Sequence, residues 1–178
     1  HQGRAVQSRS HESILEEAQE KRELIVLEVE LKEKISLDES WGELDIFKKI
    51  KNIDYYGKGS FAVNLSMLQE EAIAIDSSLK TITLEFSKPL IKECYLQEEK
   101  TLYESTENGL LRFGEITLTA EDSSLLRQKV LERMKKKLYE EELLMQAIAS
   151  AESSLEEIFK GIAQGITGEA YHIEIILK

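Results

Sequence analysis

A chain of 178 residues with 42% hydrophobic and 32% charged content carries enough apolar mass to bury a core, and it reads as one domain, two at most. Its 34 acidic against 23 basic residues leave a net charge of -11, a field that repels duplex DNA or RNA, so no nucleic-acid partner is expected. Cys94 is the one cysteine, which excludes an intramolecular disulfide, and histidines at positions 1, 11 and 172 have no metal-ligand spacing, so no metal or other cofactor is expected.

Residues 1–10 are polar and lack hydrophobic periodicity, which reads as a flexible arm or tag remnant ahead of a single domain over 11–178. The chain begins with His1 rather than Met, as a trimmed or processed product does, with any signal or anchor ahead of it out of view. Within the chain no apolar run approaches the roughly 18 residues a bilayer crossing needs. A short helix is expected from Ser10 or His11 to about Arg22, with Ile14, Leu15 and Ala18 on one side. The period then changes to two from Glu23 to Leu37, where Leu24, Val26, a less regular Leu27, Val29 and Leu31 alternate with Glu28, Glu30 and Lys32. Glu28 and Glu30 share a face and could serve as an acid and base pair, although a solvated strand face is the ordinary reading in so acidic a chain.

Ser40 with Glu43 makes a capping box for a helix over Trp41 to Ile50. Its tail is basic. Lys48, Lys49, Lys51 and Lys58 interleave with Tyr55 and Tyr56, the chain's one positive aromatic cluster, suited to anionic headgroups or wall polymers. Gly57 and Gly59 read as a bulge or strand entry ahead of Ser60 to Leu68; they lack the spacing and the following helix of a phosphate loop. Strands over 72–86, with a turn at Ser77-Ser78, end at Pro89. Leu90 to Leu96 and Lys100 to Tyr103 read as an edge hairpin holding Cys94 as a packed, inert thiol. Glu107 to Gly109 reads as a turn before Leu110 to Phe113 and Ile116 to Leu118.

From Thr119 to about Gly165 the spacing predicts one long helix with an apolar stripe at Leu131, Met134, Leu138, Met145, Ile148, Leu155, Phe159, Ile162 and Ile166. Thr119 caps its start, Glu121 and Asp122 suit the positive end of its dipole, and Gly165 and Gly168 supply the stop. Such a rod would be roughly 70 Å long, longer than a compact domain of about 40 Å. Either it projects and pairs with a second helix, or it breaks, with Ser150 to Ser154 the expected place; the stripe keeps its register across that stretch, which favours one bent helix. A last apolar strand is expected over 170–177, with His172 on its surface. The architecture predicted is α+β: a mostly antiparallel sheet from strands near 24–34, 58–68, 72–86, 90–103 and 170–177, with the long C-terminal helix packed on one face and short N-terminal helices beside it.

The run Tyr56-Gly57-Lys58-Gly59 through Phe61-Ala62-Val63-Asn64-Leu65-Ser66, then Ile75 to Pro89 with its Thr81-Ile82-Thr83 strand, resembles the bacterial domain-of-unknown-function family 4230. There the pattern is Tyr-x-Gly, an apolar Asp-Leu-Ser, a turn, and a Thr-Ile-Thr strand ending in Leu-Pro-x-Pro. Here Asn64 stands for the usual acid, and Ser87-Lys88-Pro89 replaces the double proline. The likeness covers roughly residues 23–178. It implies a membrane-spanning segment ahead of an extracytoplasmic domain, and it brings no catalytic residues.

The leading expectation is therefore a non-catalytic, membrane-anchored extracytoplasmic module that binds an unknown protein or cell-envelope component through the Lys48, Lys49, Lys51, Tyr55, Tyr56, Lys58 patch. One alternative is an oligomerisation module whose long helix pairs with that of a second copy, making a homodimer. The other is a hydrolase built on clustered carboxylates.

Overall fold

The computed structural model describes residues 2–37, 50–106, 109–116 and 118–178, with side chains from Arg9 onward. In chain order these form α1 (Gln2–Lys21), β1 (Glu23–Ser36), β2 (Ile50–Asn64), β3 (Ile73–Asp76), β4 (Thr81–Phe86), β5 (Leu90–Leu96), β6 (Leu102–Ser105), β7 (Gly109–Arg112), α2 (Ala120–Leu138), α3 (Glu141–Thr167) and β8 (His172–Leu177). The expected α+β class holds, with a predominantly antiparallel sheet and a long C-terminal helix packed on strands. The chain resolves into two compact units. The first comprises His1–Leu27, Phe61–Leu90 and Leu144–Lys178; the second comprises Glu28–Ser60 and Ile91–Leu143.

In the second unit the described strands make a sheet in the order β1-β2-β6-β7, with β5 also paired to β2. Parity decides which side chains are buried. Ile53, Tyr55, Gly57 and Gly59 of β2 and Leu31 and Ile35 of β1 turn inward under α2, which buries Leu126, Val130, Met134 and Leu138, one residue every four. Thr119 caps α2 as its sequence implies: its hydroxyl accepts the Asp122 N–H at 3.2 Å, a contact worth about 1 kcal/mol. Glu33 anchors the helix to β1 through Lys137 at 2.6 Å, and Arg127 pairs with Glu98.

In the first unit β3, β4 and β8 form a separate sheet, β3-β4 antiparallel and β4-β8 parallel. The β3–β4 turn is an Asx-type turn: Asp76 Oδ1 accepts the Ser78 and Leu79 N–H groups at 3.0 Å each, which together with the Ser78 hydroxyl holds its carboxyl below the usual range. α3 buries Ala147, Ala151, Leu155, Phe159 and Ala163 at the same four-residue step, and Phe159 meets Phe86 with ring centroids 5.5 Å apart. α1 sits beside β3, with Ile14 and Ala18 buried and the His11 ring 3.0 Å from the Ile73 carbonyl.

Several expectations are corrected. Residues 2–10, expected as an arm, belong to α1, since their sequence holds no proline or capping stop before Lys21. The long helix breaks at Tyr139-Glu140, and Ser150 to Ser154 lie in unbroken helix. The charge pattern explains the position: Lys135, Lys136 and Lys137 suit a helix C-terminus and Glu141 and Glu142 a new N-terminus. The stripe also shifts: Met145 is exposed and Ile148, Ile162 and Ile166 only half-buried, because alanines occupy the inner row. β2 starts at Ile50, eight residues before the expected strand near 58–68, and ends at Asn64, where the 3-10 turn Leu65–Met67 takes over. Trp41 to Lys49, expected as a helix, lie outside the described residues. β5 and β6 both pair with β2 and form no hairpin with each other, because the 3-10 turn Glu98–Lys100 carries the chain onward along β2. Ile116 and Leu118 lie outside any strand, in the short stretch between Gly114, at φ +93°, and the α2 cap.

Candidate functional site

The predicted basic and aromatic cluster is divided by strand parity. Lys48 and Lys49 lie outside the described residues. Lys51 is exposed where the β2-β6 register shifts between Ile50 and Asn52. Tyr55 is buried on the α2 side, where desolvation pushes its phenol far above the ordinary range and Tyr103 beside it adds to the shift. Tyr103 is raised by its own burial. These phenols stay protonated and serve as packing groups. Tyr56 and Lys58 turn the other way, onto the face opposite α2, and both are half-buried.

That face has a chemistry of its own. On β2 it carries Asn52, Asp54, Tyr56 and Lys58; on β1 it carries Glu28, Glu30, Lys32 and Lys34. Lys32 reaches across, its Nζ 5.5 Å from the Tyr56 ring centroid and 4.0 Å from Asp54 Oδ2. Asp54 Oδ1 is shut from solvent and has no hydrogen-bond donor among the described residues, so the site keeps a vacant acceptor. An aromatic ring, one ammonium and a carboxylate thus meet here, with Lys58 two residues along the same face of β2. Sequence reading missed Lys32 and Asp54. The signal for Asp54 was its even parity with Tyr56 and Lys58, whereas the approach of β1 to β2 is tertiary.

The remaining candidates do less. Glu28 and Glu30 are both exposed on β1. Cys94, half-buried on β5, lines a shallow groove with Ile91, Tyr95, Lys135 and Tyr139; burial raises its thiol pKa, with the Lys135 ammonium opposing, so it is protonated at neutral pH. A depression of about 320 Å³ in the first unit is lined by Asn64, Met67, Glu71, Glu85 and Lys178 among others. Asn64 accepts the Ser66 N–H there at 3.0 Å, the acceptor role an acid would fill in the resembled pattern. His172 is exposed, as expected. Among the described residues no group of three or more His, Cys, Asp or Glu is arranged to hold a metal ion, and no helix is long and apolar enough to cross a membrane.

No curated protein and no solved structure matches the chain. The family described as protein of unknown function (DUF4230) matches residues 16–167, which is most of the sequence and takes in both units, and the chain belongs to that family.

Proposed function

We propose that the chain is a non-catalytic binding module, displayed on the extracytoplasmic face of a bacterial membrane by a segment ahead of it, and that it holds an anionic envelope component on the sheet face opposite α2 in the second unit. The observation that carries the reading is the Lys32–Tyr56–Asp54 cluster with Lys58 beside it on a face left uncovered by α2. The ring stacks on a sugar or glycerol unit and the lysines neutralise phosphate. A headgroup and a wall polymer share this chemistry. The net charge of -11 makes such binding depend on local placement of the lysines.

Titration of the purified chain against phosphatidylglycerol vesicles, poly(glycerol phosphate) and neutral vesicles separates the sources. Binding to one anionic probe, lost with added salt, is expected. Lys32→Glu and Lys58→Glu should each weaken it about fivefold, from roughly 1 kcal/mol per lysine near an anionic surface. Equal affinity for neutral vesicles, or no binding at low salt, would sink the surface assignment. Placement is tested separately by Leu79→Cys in the full-length protein: Leu79 is 74% exposed in the β3–β4 turn. A membrane-impermeant maleimide should label it in intact cells, and labelling only after lysis would refute extracytoplasmic display.

A further inference from the structure

The two edges of the first unit's sheet are treated differently by the fold. At the β3 edge, Ile73 uses its N–H on the Glu70 carbonyl, and its own carbonyl lies 3.0 Å from the His11 ring of α1, so both groups are occupied. At the other edge β8 is the terminal strand, with no further strand paired to it among the described residues. Its even-numbered residues face β4: the His172 N–H donates to the Lys80 carbonyl at 2.7 Å and the Lys178 N–H to the Phe86 carbonyl at 3.0 Å. By alternation the N–H and C=O groups of Ile175 and Leu177 point away from the sheet, and both residues are only half-buried. An apolar edge strand of this kind, without a proline, a bulge or a lysine inside it, is a template for another strand.

We propose that the β8 edge pairs with β8 of a second copy of this chain about a twofold axis. The sequence of the edge selects the partner. In the antiparallel register centred on Ile176, Ile175 exchanges both backbone hydrogen bonds with Leu177 of the second copy. Glu174 then lies directly opposite Lys178 of the second copy, whose ammonium also pairs with Glu85 of its own chain at 2.6 Å, and symmetry repeats each contact. Shifting the register by two residues toward the N-terminus opposes Ile175 to itself and Glu174 to Ile176; a further two brings Glu174 against Glu174. Charge thus favours self-pairing in one alignment. The interface closes because a twofold contact uses the same edge on both copies, so it yields dimers and no filaments. It uses neither that sheet face of the second unit nor the outer flank of α3, and stands or falls apart from the binding role.

Sedimentation equilibrium over a wide concentration range tests it. A reversible dimer is expected, weakened roughly tenfold by Glu174→Lys or Lys178→Glu and restored by the double exchange, since two attractive cross-strand pairs become repulsive and are then rebuilt. Ile175→Pro removes only an outward N–H, so it should abolish the dimer while circular dichroism and thermal midpoint stay near those of the parent. A chain that is monomeric throughout, or a dimer indifferent to charge reversal, as pairing through α3 would be, overturns the proposal.

Discussion

Truncating Phe159 to alanine is expected to destabilise the first unit by about 3–5 kcal/mol. The side chain is 1% exposed, lies mid-way along the buried row of α3, and its ring is tilted 44° against that of Phe86. Of its neighbours along the inner row, Ala163 is too small to fill the void and Leu155 is itself fully buried in its own packing, so the cavity cost adds to the lost transfer energy. Phe159→Leu should recover most of the loss, and Met145→Ala, at a side chain 62% exposed on the same helix, should fall within about 0.5 kcal/mol of the parent. Urea denaturation followed by far-ultraviolet circular dichroism gives all three. A Phe159→Ala midpoint equal to that of Met145→Ala would contradict the packing of α3 described above.

Gly57→Ala is expected to lower stability by about 1–3 kcal/mol, and by more than Gly59→Ala. A Cβ on Gly57 would lie 2.7 Å from Met134 Sδ and 2.7 Å from the Tyr95 carbonyl oxygen. Met134 can swing aside, but the Tyr95 oxygen is fixed by its backbone. At Gly59 the nearest atoms are the Leu138 methyls, at 2.6 and 2.8 Å, the mobile end of one side chain. Met134→Ala in the Gly57→Ala background should therefore relieve only part of the strain, whereas Leu138→Ala should accommodate Gly59→Ala fully while adding its own cavity. Thermal midpoints of the two single variants that rank in the opposite order would show that β5 gives way more easily than the helix.

Local chemistry was legible in the sequence wherever a residue's role is set by near neighbours. Thr119 with Asp122, Ile14 with Ala18, the two-residue alternation of β1 and the Gly168 stop, at φ +73°, are all of this kind. Even the irregularity noted at Leu27 is structural: Val26 is buried on one parity, while Leu31 and Ile35 are buried on the other. What the sequence concealed was non-local. Glycines 57 and 59 read as a bulge because nothing nearby announces that α2, some 80 residues on, lies against them. The parallel β4-β8 pairing likewise joins segments about 90 positions apart. The helix break was misplaced because serines were weighed above the change from three lysines to two glutamates. Of the predicted patch, Tyr56 and Lys58 share one face of β2 while Tyr55 points to the other, and Lys32 and Asp54 join the first two only because β1 lies beside β2.

The interleaved make-up of the two units has a consequence for biosynthesis. The second unit draws its last segment from Ile91–Leu143, so every piece of it has been translated once Leu143 leaves the ribosome. The first unit needs Leu144–Lys178, which carries both α3 and β8, and its opening segments must wait for them through most of elongation. Nascent His1–Leu27 and Phe61–Leu90 thus emerge ahead of the segment they pack with, and a chain truncated near Leu143 would leave their apolar side chains without a native home.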